Sequence, residues 1–218
     1  MPVNKVHGKA ALASVGSFEH TIPPPFPHCK LVIIGASAGG SAVVRDLLAD
    51  LTASYPLPVV LVQHLHPDDR GLLVENLDSE MTMPVVGVLD KMPLRPGRLH
   101  VAPADYHLLL ESDSRLALSL DAPVHWSRPS IDLFFESAAL IFKQDLCAIL
   151  LTGANEDGAE GMQLISRLGG RTLVQDPASA AFPRMPQAAI DQHAAQWVLS
   201  VDRIAKSLKN LGAEVSNG

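Results

Sequence analysis

Three residues whose side chains together could carry out acyl transfer each follow an apolar run of this sequence. They are Ser37, His64 and Asp157. The apolar runs cover residues 31–34, 58–63 and 146–151. A serine hydroxyl becomes a nucleophile at neutral pH when a neighbouring imidazole takes its proton, and a carboxylate can orient that imidazole. The residue types therefore favour Ser37 as nucleophile, His64 as base and Asp157 as the orienting acid.

The surroundings of Ser37 allow two other interpretations. Residues 35–39 match the nucleophile-elbow pattern G-x-S-x-G, but they could also form a dinucleotide-binding glycine loop or a turn in which the serine is only structural. Ser37 stands where the second glycine of a dinucleotide loop would let the backbone approach pyrophosphate, which disfavours that loop. The order Ser, His, Asp also differs from that of α/β-hydrolases, so the motif does not predict their fold.

The base and the acid have local competitors. His66 lies two residues after His64, and Glu156 and Glu160 flank Asp157. The three carboxylates could instead simply favour a helix N-terminus. A metal site is a weaker alternative, because this loop does not fit the calcium-binding pattern D-x-[DN]-x-[DN]-G.

The elements that must position these residues alternate between strands and helices. The predicted strands are continuous apolar runs, which is typical of a mostly parallel sheet with helices on both faces. We therefore predict a doubly wound α/β fold, with a small antiparallel ribbon from residues 106–110 and 116–120. Because ligand sites in such sheets gather at the carboxyl ends of strands, Ser37, His64 and Asp157 should share one edge.

Composition restricts the function classes. The 218 residues carry a net charge of −6 and no basic run, which argues against nucleic-acid binding. Only Cys29 and Cys147 are present, so we expect core packing of Cys147 and a reducing compartment rather than a disulfide framework. No apolar stretch approaches the roughly 18 residues that cross a bilayer.

We expect a flexible tail over residues 1–29, a catalytic domain over 30–212 and a C-terminal tail over 213–218.

Several ordered motifs resemble the catalytic domain of the CheB-type protein-glutamate methylesterase family, which acts on chemotaxis receptors. The resemblance covers about residues 30–200 and rests on segments 34–40, 63–64, 101–103, 128–132, 151–162 and 175–190. It implies a doubly wound domain that uses Ser37, His64 and Asp157 as a catalytic triad. The backbone amides near Ala38 and Ala154 would hold the oxyanion.

The resemblance also implies a substrate and a setting. The substrate would be a glutamate γ-methyl ester on the cytoplasmic helices of a chemoreceptor, with methanol as product and receptor glutamine deamidation as a related activity. We expect a cytoplasmic protein with no cofactor, no metal, no nucleic-acid partner and no membrane insertion.

The sequence departs from the family pattern at several points. Ala38 replaces a usual Thr, Leu65-His66 stands where one Met is usual, and Ala154-Asn155 replaces Met-Gly. Members typically carry a phosphoacceptor receiver domain, for which 29 residues are too few, so we expect a catalytic domain without it and possible control by a separate regulatory protein. These departures leave open a non-enzymatic module that binds receptors or signalling proteins, and an esterase or amidase of another substrate.

Overall fold

The structure is a computed structural model that describes residues 23–124 and 126–216. In this part of the chain, a seven-stranded parallel sheet has the order β10-β9-β8-β1-β2-β5-β3, and a separate three-stranded antiparallel sheet has the order β4-β7-β6. The strands are β1 (Leu31–Ala36), β2 (Val59–Gln63), β3 (Val85–Gly87), β4 (Met92–Pro93), β5 (Leu99–Val101), β6 (His107–Leu110), β7 (Arg115–Ser119), β8 (Leu146–Leu150), β9 (Arg171–Gln175) and β10 (Trp197–Leu199). The helices are α1 (Gly40–Leu48), α2 (Leu72–Glu80), α3 (Ile131–Phe142), α4 (Ala159–Arg167), α5 (Arg184–Asp191) and α6 (Val201–Ser216).

Apolar clusters cover both faces of the parallel sheet. Helices α1, α2 and α6 pack on one face, and α3, α4 and α5 pack on the other together with the small sheet. Every residue of β1, β2 and β8 is buried, as expected for central parallel strands covered on both sides. Cys147 lies inside β8 and is buried, so the prediction of core packing is confirmed. The predicted doubly wound α/β fold with its antiparallel ribbon is confirmed as well.

The register of the three central strands brings their carboxyl ends to one level. Ala36 at the end of β1 pairs with Gln63 at the end of β2. On the other side, Gly35 pairs with Leu150 at the end of β8. The loops that follow β1, β2 and β8 therefore leave the sheet side by side.

Residues near both ends of the described part of the chain pack against the domain, although residues 23–29 are rich in proline. Phe26 and Cys29 are buried, and the Arg171 guanidinium lies 4.3 Å from the centre of the Phe26 ring. The Phe26 amide also donates to the Glu214 carboxylate at 2.6 Å, and helix α6 continues to Ser216. Residues 23–29 thus lie against the domain despite their prolines, because two apolar side chains among them reach the core. The remainder of the tail expected over residues 1–29, which is residues 1–22, lies outside the described residues.

None of the helices within the described ranges is both long enough and apolar enough to cross a membrane.

Candidate active site

Ser37 occupies the turn between β1 and α1. Its amide donates to the Thr152 carbonyl at 3.0 Å, and its own carbonyl accepts from the Gly40 amide at 2.8 Å. Gly39 adopts φ 77°, a left-handed conformation that costs a glycine little. The strand-turn-helix geometry expected from the motif therefore holds Ser37 at the start of α1, half-buried, where the helix field favours negative charge.

The loop that follows β8 presses against the Ser37 turn. A Cβ atom at Gly153 would lie 2.9 Å from Ser37 Cβ and 2.5 Å from Met185 Cε, so only glycine fits without displacing a neighbour. The buried Thr152 hydroxyl donates to the Ala38 carbonyl at 3.0 Å and accepts from the Phe182 amide at 2.9 Å. These contacts fix the position of Ser37 relative to the loop that carries Asp157.

His64 lies between the other two residues. Its Nδ1 is 3.1 Å from Ser37 Oγ, and its Nε2 is 2.7 Å from Asp157 Oδ2. The His64 amide donates to the Ala36 carbonyl at 3.2 Å, which continues the pairing of β2 with β1. Since an ionised Asp157 can only accept, the neutral ring carries its proton on Nε2 and leaves Nδ1 free to take the Ser37 proton.

Asp157 lies in the loop between β8 and α4, and its fully buried carboxylate reaches the N-terminus of α3. Its Oδ1 accepts from Ser130 Oγ at 3.0 Å and from the Asp132 amide at 2.9 Å. Its Oδ2 accepts from the Ile131 amide at 2.7 Å. Burial by itself would raise the pKa of the Asp157 carboxyl, but the hydrogen bonds from His64 and from these backbone amides hold that pKa below its ordinary value. The site therefore keeps Asp157 ionised.

Two backbone amides are available to bind a substrate oxygen. Among the residues described, neither the Ala38 amide nor the Ala154 amide donates a hydrogen bond. Ala38 follows the nucleophile directly, and exposed Ala154 lines a cavity of about 660 Å³ that Asn155 also lines. Preorganised amides of this kind stabilise the negative oxygen of a tetrahedral intermediate.

Ser37, His64 and Asp157 lie together in the structure. The alternative base His66 and the alternative acids Glu156 and Glu160 do not join them. The His66 side chain is 79% exposed and lies near Asp68. Glu156 forms an exposed ion pair with Arg184, and Glu160 is exposed. None of these three side chains forms a hydrogen bond or ion pair with Ser37 or His64 in the part of the chain that is described.

Sequence reasoning missed the residues that support Asp157. Ser130, which donates to Asp157, also caps α3, with Oγ 3.5 Å from the Leu133 amide. Its amide donates to His107 Nδ1 at 3.1 Å, and His107 Nε2 lies 3.0 Å from the Ala122 carbonyl. The segment 128–132 was the available signal, since its Ser and Asp precede an apolar helix in a motif shared with the family.

Asp132 is a second buried carboxyl group beside Asp157. Its Oδ1 accepts from the Gly161 amide at 2.8 Å, which joins the start of α3 to the start of α4. Burial, with a smaller contribution from the neighbouring Asp157 charge, raises the pKa of Asp132 to about 7 against the lowering effect of the Gly161 hydrogen bond. Over the described residues, no group of three or more His, Cys, Asp or Glu side chains could hold a metal ion.

Comparison with known proteins decides the family. The family described as CheB methylesterase matches residues 32–208, which is most of the chain. The chain belongs to the CheB methylesterase family. This confirms the resemblance that its motifs indicate.

The CheB methylesterase relatives extend over different lengths. A protein from Leptospira interrogans is 37% identical over 177 residues, covering 81% of this chain and 92% of that protein. A protein-glutamate methylesterase/protein-glutamine glutaminase from Symbiobacterium thermophilum is 33% identical over 207 residues, covering 95% of this chain but 56% of the relative. The crystal structure of the Thermotoga maritima CheB methylesterase catalytic domain aligns with a TM-score of 0.79 and 30% identity, over 83% of this chain and 97% of that domain.

Proposed function

We propose that this chain hydrolyses glutamate γ-methyl esters on chemoreceptors, and deamidates receptor glutamines, with Ser37 as nucleophile, His64 as base and Asp157 as the orienting acid. The observation that carries the proposal is the continuous hydrogen-bonded chain from Ser37 Oγ through both ring nitrogens of His64 to Asp157. Its geometry matches the roles that acyl transfer requires.

The first half of the reaction forms an acyl-enzyme. Ser37 Oγ attacks the ester carbonyl carbon while His64 Nδ1 takes the hydroxyl proton, and the carbonyl oxygen becomes an oxyanion. The Ala38 and Ala154 amides donate to that oxygen. When the intermediate collapses, the bond to the methoxy oxygen breaks and Nδ1 returns the proton, so that methanol leaves. A glutamine substrate follows the same course with ammonia as the leaving group.

The second half restores the enzyme. Water attacks the acyl carbon and gives a proton to His64 Nδ1. The bond to Ser37 Oγ then breaks, Nδ1 returns the proton to that oxygen, and a glutamate is released. The ionised Asp157 holds the ring through Nε2 and stabilises the imidazolium in both halves.

The site borders space that a protein segment could occupy. A mostly apolar cavity of about 450 Å³ is lined by Ala154, Phe182, Pro183, Arg184 and Gln187. We assign it to the receptor segment next to the esterified glutamate. The receptor's methylated helices are cytoplasmic in this proposal, so the enzyme acts in the cytoplasm, where a separate regulatory protein would control it.

Methanol release tests the proposed function. The substrate is a chemoreceptor cytoplasmic fragment carrying tritiated methyl esters, and the enzymes are the parent, Ser37→Ala and the exposed control Ser79→Ala. We expect Ser37→Ala to lose at least 10³-fold in rate and Ser79→Ala to match the parent. If Ser37→Ala releases methanol as fast as the parent, the proposal is wrong. Parent protein that binds the fragment without releasing methanol would instead favour the non-enzymatic binding module.

A further inference from the structure

Asn155 contacts two members of the proposed triad through its side-chain amide. Its Oδ1 accepts from the Asp157 amide at 3.3 Å, and its Nδ2 lies 3.3 Å from His64 Nδ1. The first contact is an Asx turn, which requires only an acceptor oxygen. The turn orients the amide so that its NH₂ group faces His64. Because a carboxylate could form the same turn, the turn does not explain why residue 155 carries an NH₂ group.

The NH₂ group shares its acceptor with the nucleophile. The neutral His64 ring offers one in-plane lone pair on Nδ1, and Ser37 Oγ lies 3.1 Å from the same atom. Asn155 and Ser37 thus both approach Nδ1 in the resting site. Since an amide carries two N–H groups, Nδ2 also has a second donor.

Proton transfer changes this arrangement at one moment of the reaction. When Nδ1 takes the Ser37 proton it becomes a donor, so the Asn155 N–H that faced it loses its acceptor. In the same step the ester carbonyl oxygen becomes an oxyanion on the carbon bonded to Ser37 Oγ. A donor is released beside the nucleophile as a new, negatively charged acceptor forms there.

We propose that Asn155 Nδ2 donates to this oxyanion, as a third donor beside the Ala38 and Ala154 amides. The inference rests on the proposed function, because it needs an oxyanion formed by attack of Ser37. Asn155 follows Ala154 in the chain and lines the same cavity, which places its half-buried side chain on the side from which the Ala154 amide would act. Charge-assisted hydrogen bonds are about twice as strong as neutral ones, so the contact favours the intermediate over the bound ester.

Two substitutions separate the donor from the turn. Asn155→Asp keeps an oxygen acceptor for the Asp157 amide and lacks the N–H donors. Asn155→Gly removes both the turn and the donor. The matched control is Asn210→Asp, which makes the same chemical change at an exposed position of α6.

The measurements are kcat and KM for methanol release from the tritiated receptor fragment, the pH profile of kcat/KM, and inhibition by phenylboronic acid. The boronic acid forms a tetrahedral adduct on a serine nucleophile. We expect kcat to fall about 10²-fold in both Asn155 variants with KM within twofold of the parent, as when an oxyanion donor is removed. Affinity for the boronic acid should fall in parallel, and Asn210→Asp should change nothing.

Other outcomes overturn the inference. They are unchanged kcat and boronic acid affinity in both variants, a change confined to KM, or a shifted pH profile with unchanged boronic acid affinity. The last would make Asn155 a positioning residue for His64 only. Ser37→Ala is assayed in parallel. If Ser37→Ala is inactive and the Asn155 variants behave like the parent, this inference alone fails, whereas an active Ser37→Ala removes the proposed function as well.

Discussion

Ser37 Oγ faces Nδ1 of His64, at 3.1 Å, and not Nε2. In the serine-protease arrangement the nucleophile bonds to Nε2 and the carboxylate to Nδ1. Here the ring presents its two nitrogens the other way round, with Nε2 directed to the buried Asp157. The proton relay is equivalent, because either nitrogen can accept a proton when the other is protonated. The ring can accept the Ser37 proton only in the tautomer that carries its own proton on Nε2, and the hydrogen bond to Asp157 favours that tautomer.

Asp157→Asn should abolish most of the activity without removing the base. An amide at position 157 can present an N–H to His64 Nε2, which favours the tautomer with its proton on Nδ1, where it cannot accept from Ser37. We expect kcat for methanol release to fall by about 10⁴, as for the same change in a serine protease. Steady-state kinetics on the receptor fragment would measure this.

The matched control is Glu160→Gln, an exposed carboxylate three residues later in the chain. It should keep the parent's kcat. An Asp157→Asn enzyme within tenfold of the parent, or a large loss in Glu160→Gln, would contradict the assignment of the orienting acid.

Ser130→Ala should weaken both the site and the fold. The Ser130 hydroxyl donates to Asp157 Oδ1 at 3.0 Å and caps α3. Removing the cap should lower the free energy of unfolding by about 1 kcal/mol, measured by urea unfolding. With one donor fewer, Asp157 should hold His64 less firmly, so we expect kcat to fall with little change in KM. Ser130→Thr retains the hydroxyl and should recover most of the kcat. Equal losses in the Ala and Thr variants would count against this role.

Gly153→Ala should displace the nucleophile. The added Cβ would lie 2.6 Å from Met185 Sδ and 2.9 Å from Ser37 Cβ, and Met185 is fully buried. Overpacking of this kind costs about 1–3 kcal/mol, and a shift near 1 Å at the reacting atom can cost about 10² in rate. Thermal unfolding and methanol release would measure the two effects.

Gly87→Ala is the control for that substitution, because its Cβ would meet only Val74 Cγ2, at 3.6 Å. It should leave kcat unchanged. If Gly153→Ala retained the parent's kcat, the close approach of the two loops would not matter for catalysis.

Asp132 should make the stability of the protein depend on pH. Its pKa rises from near 3.8 to about 7 in the folded chain, chiefly because it is buried. Between those values the folded state binds more protons than the unfolded state, so this group's contribution to stability falls as pH rises and levels off above about pH 7. Asp132→Asn removes the titration and retains an oxygen for the Gly161 amide.

Urea unfolding of the parent and Asp132→Asn between pH 4.5 and 7.5 would measure this effect, on the scale of about 1.4 kcal/mol per unit of pKa change. We expect the variant to gain stability relative to the parent as pH rises across this range. Two parallel pH curves would show that Asp132 does not titrate there.

Strand ends were sufficient to predict that three particular side chains would lie together. Ser37, His64 and Asp157 each follow an apolar run, and parallel strands expose their carboxyl ends on one edge. The same reasoning gives the doubly wound fold, because runs buried on both faces need helices on both sides. It leaves His66 open as an alternative base, because His66 follows the same strand only two residues later.

The contacts around Asp157 could not be predicted in this way. They depend on how the start of α3, more than 20 residues before Asp157 in the sequence, docks against the loop after β8. Periodicity locates a helix but does not give its partners, and it does not indicate which nitrogen of His64 faces Ser37. The burial of Phe26 was not predicted for a similar reason. The proline-rich composition around it does not indicate that a single apolar residue packs against elements that are distant in the sequence.

The position of β1 between β2 and β8 has a consequence for the newly made chain. Ser37 lies 27 residues from His64, but His64 lies 93 residues from Asp157. Closing the longer separation costs about 1 kcal/mol more in chain entropy than closing the shorter one, and long-range pairing tends to come late in folding. A partly folded chain therefore has the hydroxyl but not the groups that activate it. The three side chains therefore come together only when β2 and β8 have both paired with β1, and before that point Ser37 lacks the groups that would activate it.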